Sequence, residues 1–189
     1  YLIIMKILTF VDVHGNISII RRLIKKAKDV DLLICCGDLS SFGKNFLKLV
    51  SMFKKTNKPL LIIPGNHESS EDIKKADSKF NFVMNLHRRS YQFGKYLFFG
   101  YGGGGFSQTD KTLEKISKEF KKTIKDDNIV IFITHAPPYK TKLDLLDTGY
   151  RGSKSIRKFI EDIQPKFNFC GHLHETVGNK DKIKKTFIV

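Results

Sequence analysis

The sequence has no long hydrophobic run, few cysteines and few acidic residues, and each shortage excludes a class of protein. No apolar stretch approaches the roughly 18–20 residues that a membrane-spanning helix needs. The apolar start, Tyr1–Ile4, lacks the basic region and cleavage site of a signal peptide, so it is expected to lead into a first strand. The length of 189 residues predicts one domain over residues 1–189, since no linker or repeat divides it.

The three cysteines, Cys35, Cys36 and Cys170, lie in apolar runs and lack the spacing of a zinc-binding knuckle. They are expected to be buried thiols of a reduced protein, which predicts a cytoplasmic location. With no candidate membrane span, no membrane association is expected.

The shortage of acidic residues leaves a formal net charge of +15, from 34 Lys and Arg against 19 Asp and Glu. A basic surface attracts nucleic acid and other phosphorylated ligands, so nucleic-acid binding is one hypothesis. Lysine-rich helices also occur for unrelated reasons, including adaptation to heat. No aromatic-interleaved basic motif or helix-turn-helix pattern accompanies the charge. Both interpretations stay open, and the oligomeric state is not predicted.

Apolar, β-branched segments alternate with lysine-rich amphipathic segments along the chain. Strands are predicted over residues 6–11, 31–36, 60–64, 91–93, 96–101, 129–134, 166–170, 176–178 and 184–189. Helices are predicted over residues 17–28, 44–56, 70–79, 109–125 and 153–163. Fully apolar strands with helices between them indicate an α/β protein whose sheets are covered by helices.

The glycine cluster Gly102–Gly105 follows one of the predicted strands. It has neither the GxGxxG nor the Walker pattern, and no dinucleotide-binding unit surrounds it. A flexible turn is the interpretation that the sequence favours, although a glycine run also lets backbone approach a phosphate.

Residues that commonly bind metals follow five of the predicted strands. Carboxyl ends of strands joined by helical crossovers meet at one edge of a sheet, so these residues are expected to converge. Imidazole, carboxylate and amide groups are ligands of divalent metals. Five of the six histidines lie in these motifs, and only His87 falls outside, where a surface position is expected. The strand-end residues are Asp12, His14, Asp38, Asn66, His67, His135, His172 and His174.

These motifs, in this order, resemble those of the calcineurin-like metallophosphoesterase superfamily, especially its small microbial members. The resemblance spans residues 12–174 and rests on Asp12-x-His14, Gly37-Asp38, Gly65-Asn66-His67-Glu68, His135 and Gly171-His172-x-His174. It implies a four-layer αββα sandwich with two mixed β-sheets flanked by helices. It also implies a metal-dependent phosphoesterase, a phosphodiesterase or a phosphatase, that hydrolyses phosphate esters with a hydroxide bound to a dinuclear metal centre.

The resemblance also implies roles for individual residues. Two divalent ions are expected, Mn²⁺ first, with Fe, Zn, Ni, Co or Mg as alternatives. One ion would be held by Asp12, His14 and His174, the other by Asn66, His135 and His172, with Asp38 bridging both. His67 would act as a proton donor without binding metal, Asn66 would also orient the phosphate, and Asp38 would complete the catalytic set.

The sequence departs from the family pattern after the second motif. Many relatives carry an acidic residue there that orients the histidine equivalent to His67, whereas this chain has Ser40 and Ser41. The group that holds His67 is therefore not predicted.

Substrate contacts and alternative functions are predicted less directly. Residues 139–153 are expected to form the longest loop near the site, and the candidate substrate contacts are Asn16, Tyr139, Lys140 and Arg151. The substrate is a phosphate ester, with a nucleotide as one candidate. Two alternatives remain: a nuclease or nucleic-acid-binding member of the same fold, and a non-catalytic interaction scaffold.

Overall fold

The computed structural model describes residues 5–104 and 107–189, so the predicted lead-in at residues 1–4 and Gly105 lie outside the described residues. The strands are β1 (Ile7–Phe10), β2 (Leu32–Cys35), β3 (Leu60–Ile62), β4 (Val83–Asn85), β5 (Arg89–Phe93), β6 (Tyr96–Tyr101), β7 (Ile129–Thr134), β8 (Leu145–Leu146), β9 (Gly149–Tyr150), β10 (Phe167–Phe169), β11 (Asp181–Ile183) and β12 (Thr186–Ile188). The α-helices are α1 (Ile17–Lys26), α2 (Phe46–Met52), α3 (Ser70–Lys79), α4 (Lys111–Thr123) and α5 (Lys154–Ile163). Short 3₁₀ turns cover Ala27–Asp29, Phe53–Thr56 and His174–Thr176.

The first sheet contains β1 to β4 in chain order, and each neighbouring pair is parallel. Helices α1, α2 and α3 connect these strands, and side-chain caps fix where two of them begin. The Asn16 side chain accepts a hydrogen bond from the Ile19 N–H at the start of α1. Ser69 and Asp72 form a reciprocal capping box at the start of α3. These short, capped crossovers bring the carboxyl ends of β1, β2 and β3 to the same edge.

The second sheet has the order β11-β12-β10-β7-β6-β5 and is mixed. Its central strands β12, β10, β7 and β6 are parallel neighbours, whereas the edge strands β11 and β5 pair antiparallel. The predicted hairpin of β5 and β6 is present, and Gly94 at its turn has a φ of 54°. A separate short hairpin of β8 and β9 lies within residues 139–153.

Alternation of side chains along the strands divides the interior into three apolar layers. In β2, Leu33 packs with α1–α3 while Ile34 faces the second sheet. In β7, Ile133 faces the first sheet while Phe132 packs with α4 and α5, its ring 3.9 Å from that of Phe159. The predicted four-layer αββα sandwich is thus confirmed. In detail, the described part of the first sheet is all parallel and only the second is mixed.

Two local predictions are wrong at the ends of the sheets. The strand predicted over 176–178 is absent, because the chain makes a 3₁₀ turn at His174–Thr176 and leaves Val177 82% exposed. The strand of this region is β11, which was not predicted. Strand β4 was also missed, since only Val83 of its three residues is buried.

The predicted burial of the thiols is confirmed: Cys35, Cys36 and Cys170 are free and buried. Over residues 5–104 and 107–189, no helix has the length and hydropathy to cross a bilayer.

Candidate metal centre

Five strands from the two sheets end at one edge of the sandwich, and the predicted site residues follow them. The Asp38 and Leu39 carbonyls accept the His14 and Gly15 N–H groups at 2.9 and 2.8 Å, which joins the loops after β1 and β2. The His172 N–H donates to Asp12 Oδ2 at 2.9 Å, and this bond joins the two sheets. The loops that follow β1, β2 and β10 are therefore fixed to one another by hydrogen bonds.

Four of the predicted residues have left-handed backbone conformations, with φ values of 53° for Asp12, 48° for His14, 51° for Asp38 and 76° for His172. This conformation costs roughly 1–2 kcal/mol for a residue with a Cβ atom. Such outliers cluster at functional sites, where the surrounding structure holds them in place. Here they turn the side chains out of the strand direction and into one crevice.

Asp12, His14 and His174 form the first group of potential ligands. The Nε2 atoms of His14 and His174 are 3.2 Å apart, and His174 Nε2 is 3.8 Å from Asp12 Oδ1. This carboxylate oxygen is buried and has no hydrogen-bond donor among the residues that the structure describes. A buried, unpaired carboxylate oxygen is costly, so the group fits a cation placed between these atoms.

Asn66, His135 and His172 form the second group. Asn66 Oδ1 lies 2.9 Å from His135 Nε2 and 3.0 Å from His172 Nδ1. His135 Nδ1 lies 3.0 Å from the Cys36 carbonyl, which only accepts, so Nδ1 carries the proton of the neutral ring. The lone pair on His135 Nε2 then points at Asn66 Oδ1, another acceptor. This arrangement fits a metal ion with a carbonyl-oriented histidine ligand.

Asp38 lies between the two groups and is 2% exposed. Its Oδ2 atom is 3.5 Å from His135 Nε2, 4.0 Å from His14 Nε2 and 3.9 Å from His67 Nε2. Its Oδ1 atom accepts the His67 N–H at 2.9 Å, which fixes the rotation of the carboxylate. The structure thus brings together all seven residues that were predicted as metal ligands.

His67 is held by a backbone group that the sequence did not indicate. Its Nδ1 atom accepts the Phe42 N–H at 3.1 Å, and its ring centroid lies 4.3 Å from that of Phe42. The hydroxyls of Ser40 and Ser41 hydrogen-bond elsewhere: the Ser40 hydroxyl donates to Glu68, and the Ser41 hydroxyl donates to the His14 carbonyl. A left-handed φ of 53° at Phe42 directs its N–H towards His67.

Glu68 is a structural residue of the site to which sequence analysis gave no role. Its buried carboxylate accepts hydrogen bonds from the Asp38 N–H, the Ser40 N–H and hydroxyl, and the Gly65 N–H, at 2.7–3.2 Å. It therefore ties the loop after β2 to the loop after β3. Its position in the Gly65–Glu68 motif was the one feature of the sequence that could have indicated this role.

The side-chain hydrogen bonds of the four candidate substrate contacts link them to residues outside the proposed ligand set. Asn16 caps α1. Tyr139 and Lys140 accept hydrogen bonds through their carbonyls from Arg157 of α5, and Arg151 donates to Thr148. Their role in substrate binding stays a prediction.

His87 is not at the surface, contrary to the prediction. It is 9% exposed, and its Nδ1 atom accepts the Gly102 N–H at 3.0 Å. Burial, with a smaller contribution from the Arg88 charge, lowers the pKa of His87 to about 4. The neighbouring arginines suggested solvent, but the chain turns at Arg88 and places the imidazole against β6.

The lowered pKa of His87 predicts acid sensitivity of the fold. An ordinary pKa near 6.5 applies in the unfolded chain, so below that pH the unfolded state takes up a proton that the folded state does not bind until about pH 4. The free energy of unfolding should fall by roughly 2–3 kcal/mol between pH 7 and pH 4.5 from this group. Urea titrations at the two pH values should show this loss in the wild type and not in His87→Gln, which keeps an acceptor for Gly102. If the free energy of unfolding fell equally with pH in the two proteins, His87 would not be the source of the acid sensitivity.

The sequence profile of the calcineurin-like phosphoesterase family matches residues 5–176. An uncharacterized protein of Methanocaldococcus jannaschii is 33% identical over 98% of this chain and 87% of its own length. A probable cyclic nucleotide phosphodiesterase of Fibrobacter succinogenes is 28% identical, and a probable glycerophosphodiester phosphodiesterase of Arcobacter nitrofigilis is 26% identical. They match 82% and 79% of this chain, which spans only 62% and 60% of their lengths.

Solved structures give the same fold. A Thermus thermophilus protein superposes with a TM-score of 0.78 at 15% identity, over 98% of this chain and 88% of its own. The purple acid phosphatase of yellow lupin seeds superposes with a TM-score of 0.64 at 16% identity, over 90% of this chain and 38% of its own. These likenesses concern the architecture.

Proposed function

Because this chain belongs to the calcineurin-like phosphoesterase family, we propose that it hydrolyses phosphate esters at a pair of divalent metal ions. The observation that carries the proposal is the pair of ligand groups on either side of the Asp38 carboxylate. In this proposal, Asp12, His14 and His174 hold one ion, Asn66, His135 and His172 hold the other, and Asp38 contacts both.

The donor set favours ions that accept both imidazole and oxygen ligands. Four of the seven proposed ligands are histidines and three supply carboxylate or amide oxygen, which suits Mn²⁺ and also Fe, Zn, Ni or Co better than a site of oxygen alone. When bound, two such ions supply a nucleophilic water at neutral pH and offset the charge of the phosphoryl oxygens.

The protein's own groups position the ester. Since Nδ1 of His67 accepts the Phe42 N–H, the proton of the neutral ring is on Nε2. That atom lies 3.9 Å from Asp38 Oδ2, next to the proposed metal centre. His67 therefore donates to a phosphoryl or leaving-group oxygen, and Asn66 directs its amide towards the same phosphate.

Removal of metal followed by selective return tests the proposal. The chelator-stripped protein should be inactive on p-nitrophenyl mono- and diesters, and Mn²⁺ should restore hydrolysis more fully than Mg²⁺. In the same assay, His67→Ala should lower turnover by roughly 10²–10³-fold while equilibrium dialysis still finds two ions bound. If no divalent ion restores hydrolysis of any ester, the enzyme hypothesis fails and the scaffold alternative gains.

The net charge of +15 favours nucleic acid as a second candidate substrate. Binding that weakens steeply with salt would support it. Hydrolysis of small esters with no affinity for DNA or RNA at low salt would exclude it.

A further inference from the structure

A cavity of about 450 Å³ adjoins the proposed metal centre on the side of Asn66. This volume is in the range of small-molecule sites. Gly65 and Asn66 form one wall, and the opposite wall comprises His87, Arg88, Tyr101 and the start of the glycine cluster. A phosphate ester whose phosphoryl group lies at the metal centre has this cavity next to it.

The glycine cluster brings that opposite wall against the loop of Asn66. The Gly103 N–H donates to the Pro64 carbonyl at 2.8 Å, and a Cβ atom on Gly102 would lie 2.2 Å from the same carbonyl oxygen. At Gly103 and Gly104 the φ values are +78° and +77°, and a Cβ atom on either would meet no atom within 4 Å. A glycine is thus required at Gly102, where the backbone packs closely on Pro64, whereas Gly103 and Gly104 border open space.

The carboxylates of the cavity are already occupied by donors of the protein. Glu68 accepts four hydrogen bonds from the loops of the metal centre. Asp110 caps α4 by accepting from the Thr112 and Leu113 N–H groups, and it accepts the Tyr101 hydroxyl at 2.7 Å. Both carboxylates keep their negative charge, but neither forms an ion pair with Arg88 in the described part of the chain.

Arg88 supplies donors that the fold does not use fully: its side chain hydrogen-bonds Tyr101 but has further N–H groups. The Arg88 guanidinium lies 5.6 Å from the centroid of the Tyr101 ring, and it has no ion pair among the described residues. His87 accepts through Nδ1, so Nε2 carries its proton; this buried N–H has no partner in the described part of the chain. Of these two residues, Arg88 is therefore the one that offers donors and a positive charge to a ligand in the cavity, since the His87 Nε2 atom is buried.

The backbone at Arg88 is held in an unfavourable conformation that aims the residue at this wall. Its φ is 60°, and the turn is closed by the Arg88 N–H bonding the Gly100 carbonyl at 2.8 Å and the Arg89 N–H bonding the Leu86 carbonyl at 3.0 Å. Strained conformations of this kind are retained where they position a functional group.

We propose that this cavity binds the alcohol portion of the substrate. It selects esters in which that portion carries a second anionic group, and this group forms an ion pair with Arg88. The inference rests on the proposed function, since it places the scissile phosphate at the metal centre. A carboxylate or a second phosphate has the same chemistry towards a guanidinium, and either would pair with its planar donors.

The affinity of the protein for phosphonates, which it cannot hydrolyse, measures this selection directly. Phosphonoacetate, 3-phosphonopropionate and 4-phosphonobutyrate are each compared with an alkylphosphonate of the same chain length that lacks the carboxylate. Calorimetric titration of the Mn²⁺-bound protein should show that the carboxylate of at least one chain length strengthens binding by roughly 10–100-fold. A bisphosphonate series would then separate a phosphate from a carboxylate preference.

Arg88→Gln should remove that advantage, and Arg88→Lys should retain part of it. The matched control is Arg89→Gln, because Arg89 is the adjacent arginine but pairs with Asp77 at 3.6 Å; it should behave as wild type. If the carboxylate bound the metals instead of Arg88, its effect on affinity would persist in Arg88→Gln, and that result would overturn the inference. A wild-type protein that binds the carboxylates no more tightly than the alkylphosphonates would overturn it too. A protein that binds the alkylphosphonates but ignores the carboxylate disproves only the inference. One that binds no phosphonate and hydrolyses no ester disproves the proposed function as well.

Discussion

Asp38→Ala should abolish ester hydrolysis, with a loss of at least about three orders of magnitude, or roughly 4 kcal/mol in the activation barrier. The carboxylate lies within 4.0 Å of imidazole nitrogens from both ligand groups, so its removal takes a ligand from each proposed ion. Metal analysis after dialysis should find fewer than two ions per chain. Turnover and metal content should be measured on the same preparation.

The control for Asp38→Ala is another aspartate removed from the site. Asp77 is half-buried away from the centre, where it pairs with Arg89 at 3.6 Å and accepts the Asn85 N–H at 3.2 Å, so Asp77→Ala removes a carboxylate without touching the proposed ligands. This variant should keep two ions and full activity, although the lost hydrogen bond should lower the free energy of unfolding by about 1 kcal/mol. An Asp38→Ala protein with two bound ions and near-normal turnover would contradict the bridging role.

Gly65→Ala should be strongly destabilising although it adds only one methyl group. An added Cβ atom would lie 1.9 Å from Asp38 Oδ1 and 2.6 Å from the Asp38 backbone nitrogen, and backbone cannot move aside as a flexible side chain does. We expect a loss of about 3 kcal/mol or more in the free energy of unfolding. Metal affinity should fall too, because the clash displaces Asp38.

Gly178→Ala provides the matched control. Its φ is +88°, but an added Cβ atom would meet nothing within 4 Å, so only the backbone cost of about 1–2 kcal/mol applies. Denaturant titrations and metal analysis of both variants separate the two effects. If Gly65→Ala is as stable as Gly178→Ala and holds as much metal, the close packing of the loop after β3 on Asp38 is wrong.

The apolar strands and the amphipathic segments between them were sufficient to predict an α/β protein with helix-covered sheets, whereas the four-layer αββα arrangement was implied by the family resemblance. Residues 129–134 are apolar on both faces, as β7 requires between the first sheet and α5. The predicted ligands also follow from strand ends, since parallel strands deliver their carboxyl ends to one edge. Strand ends do not predict groups whose role depends on the backbone conformation of the loops between the strands.

Phe42 and His87 illustrate that omission. Phe42 contributes its N–H, a group that every residue except proline has, and only its left-handed conformation aims it at His67. His87 stands beside two arginines in sequence, yet the turn at Arg88 directs it inward. Side-chain chemistry can be read from a sequence, whereas the direction of a turn depends on the tertiary contacts that close it.

The proposed ligands are divided between two sheets that share no strand pairing in the described residues. Asp12, His14, Asp38 and Asn66 follow strands of the first sheet, while His135, His172 and His174 follow strands of the second. Each ion would therefore draw ligands from both halves of the sandwich. Bound metal would cross-link the two sheets, so its removal should weaken the packing of one sheet on the other. The melting temperature should then fall together with the activity.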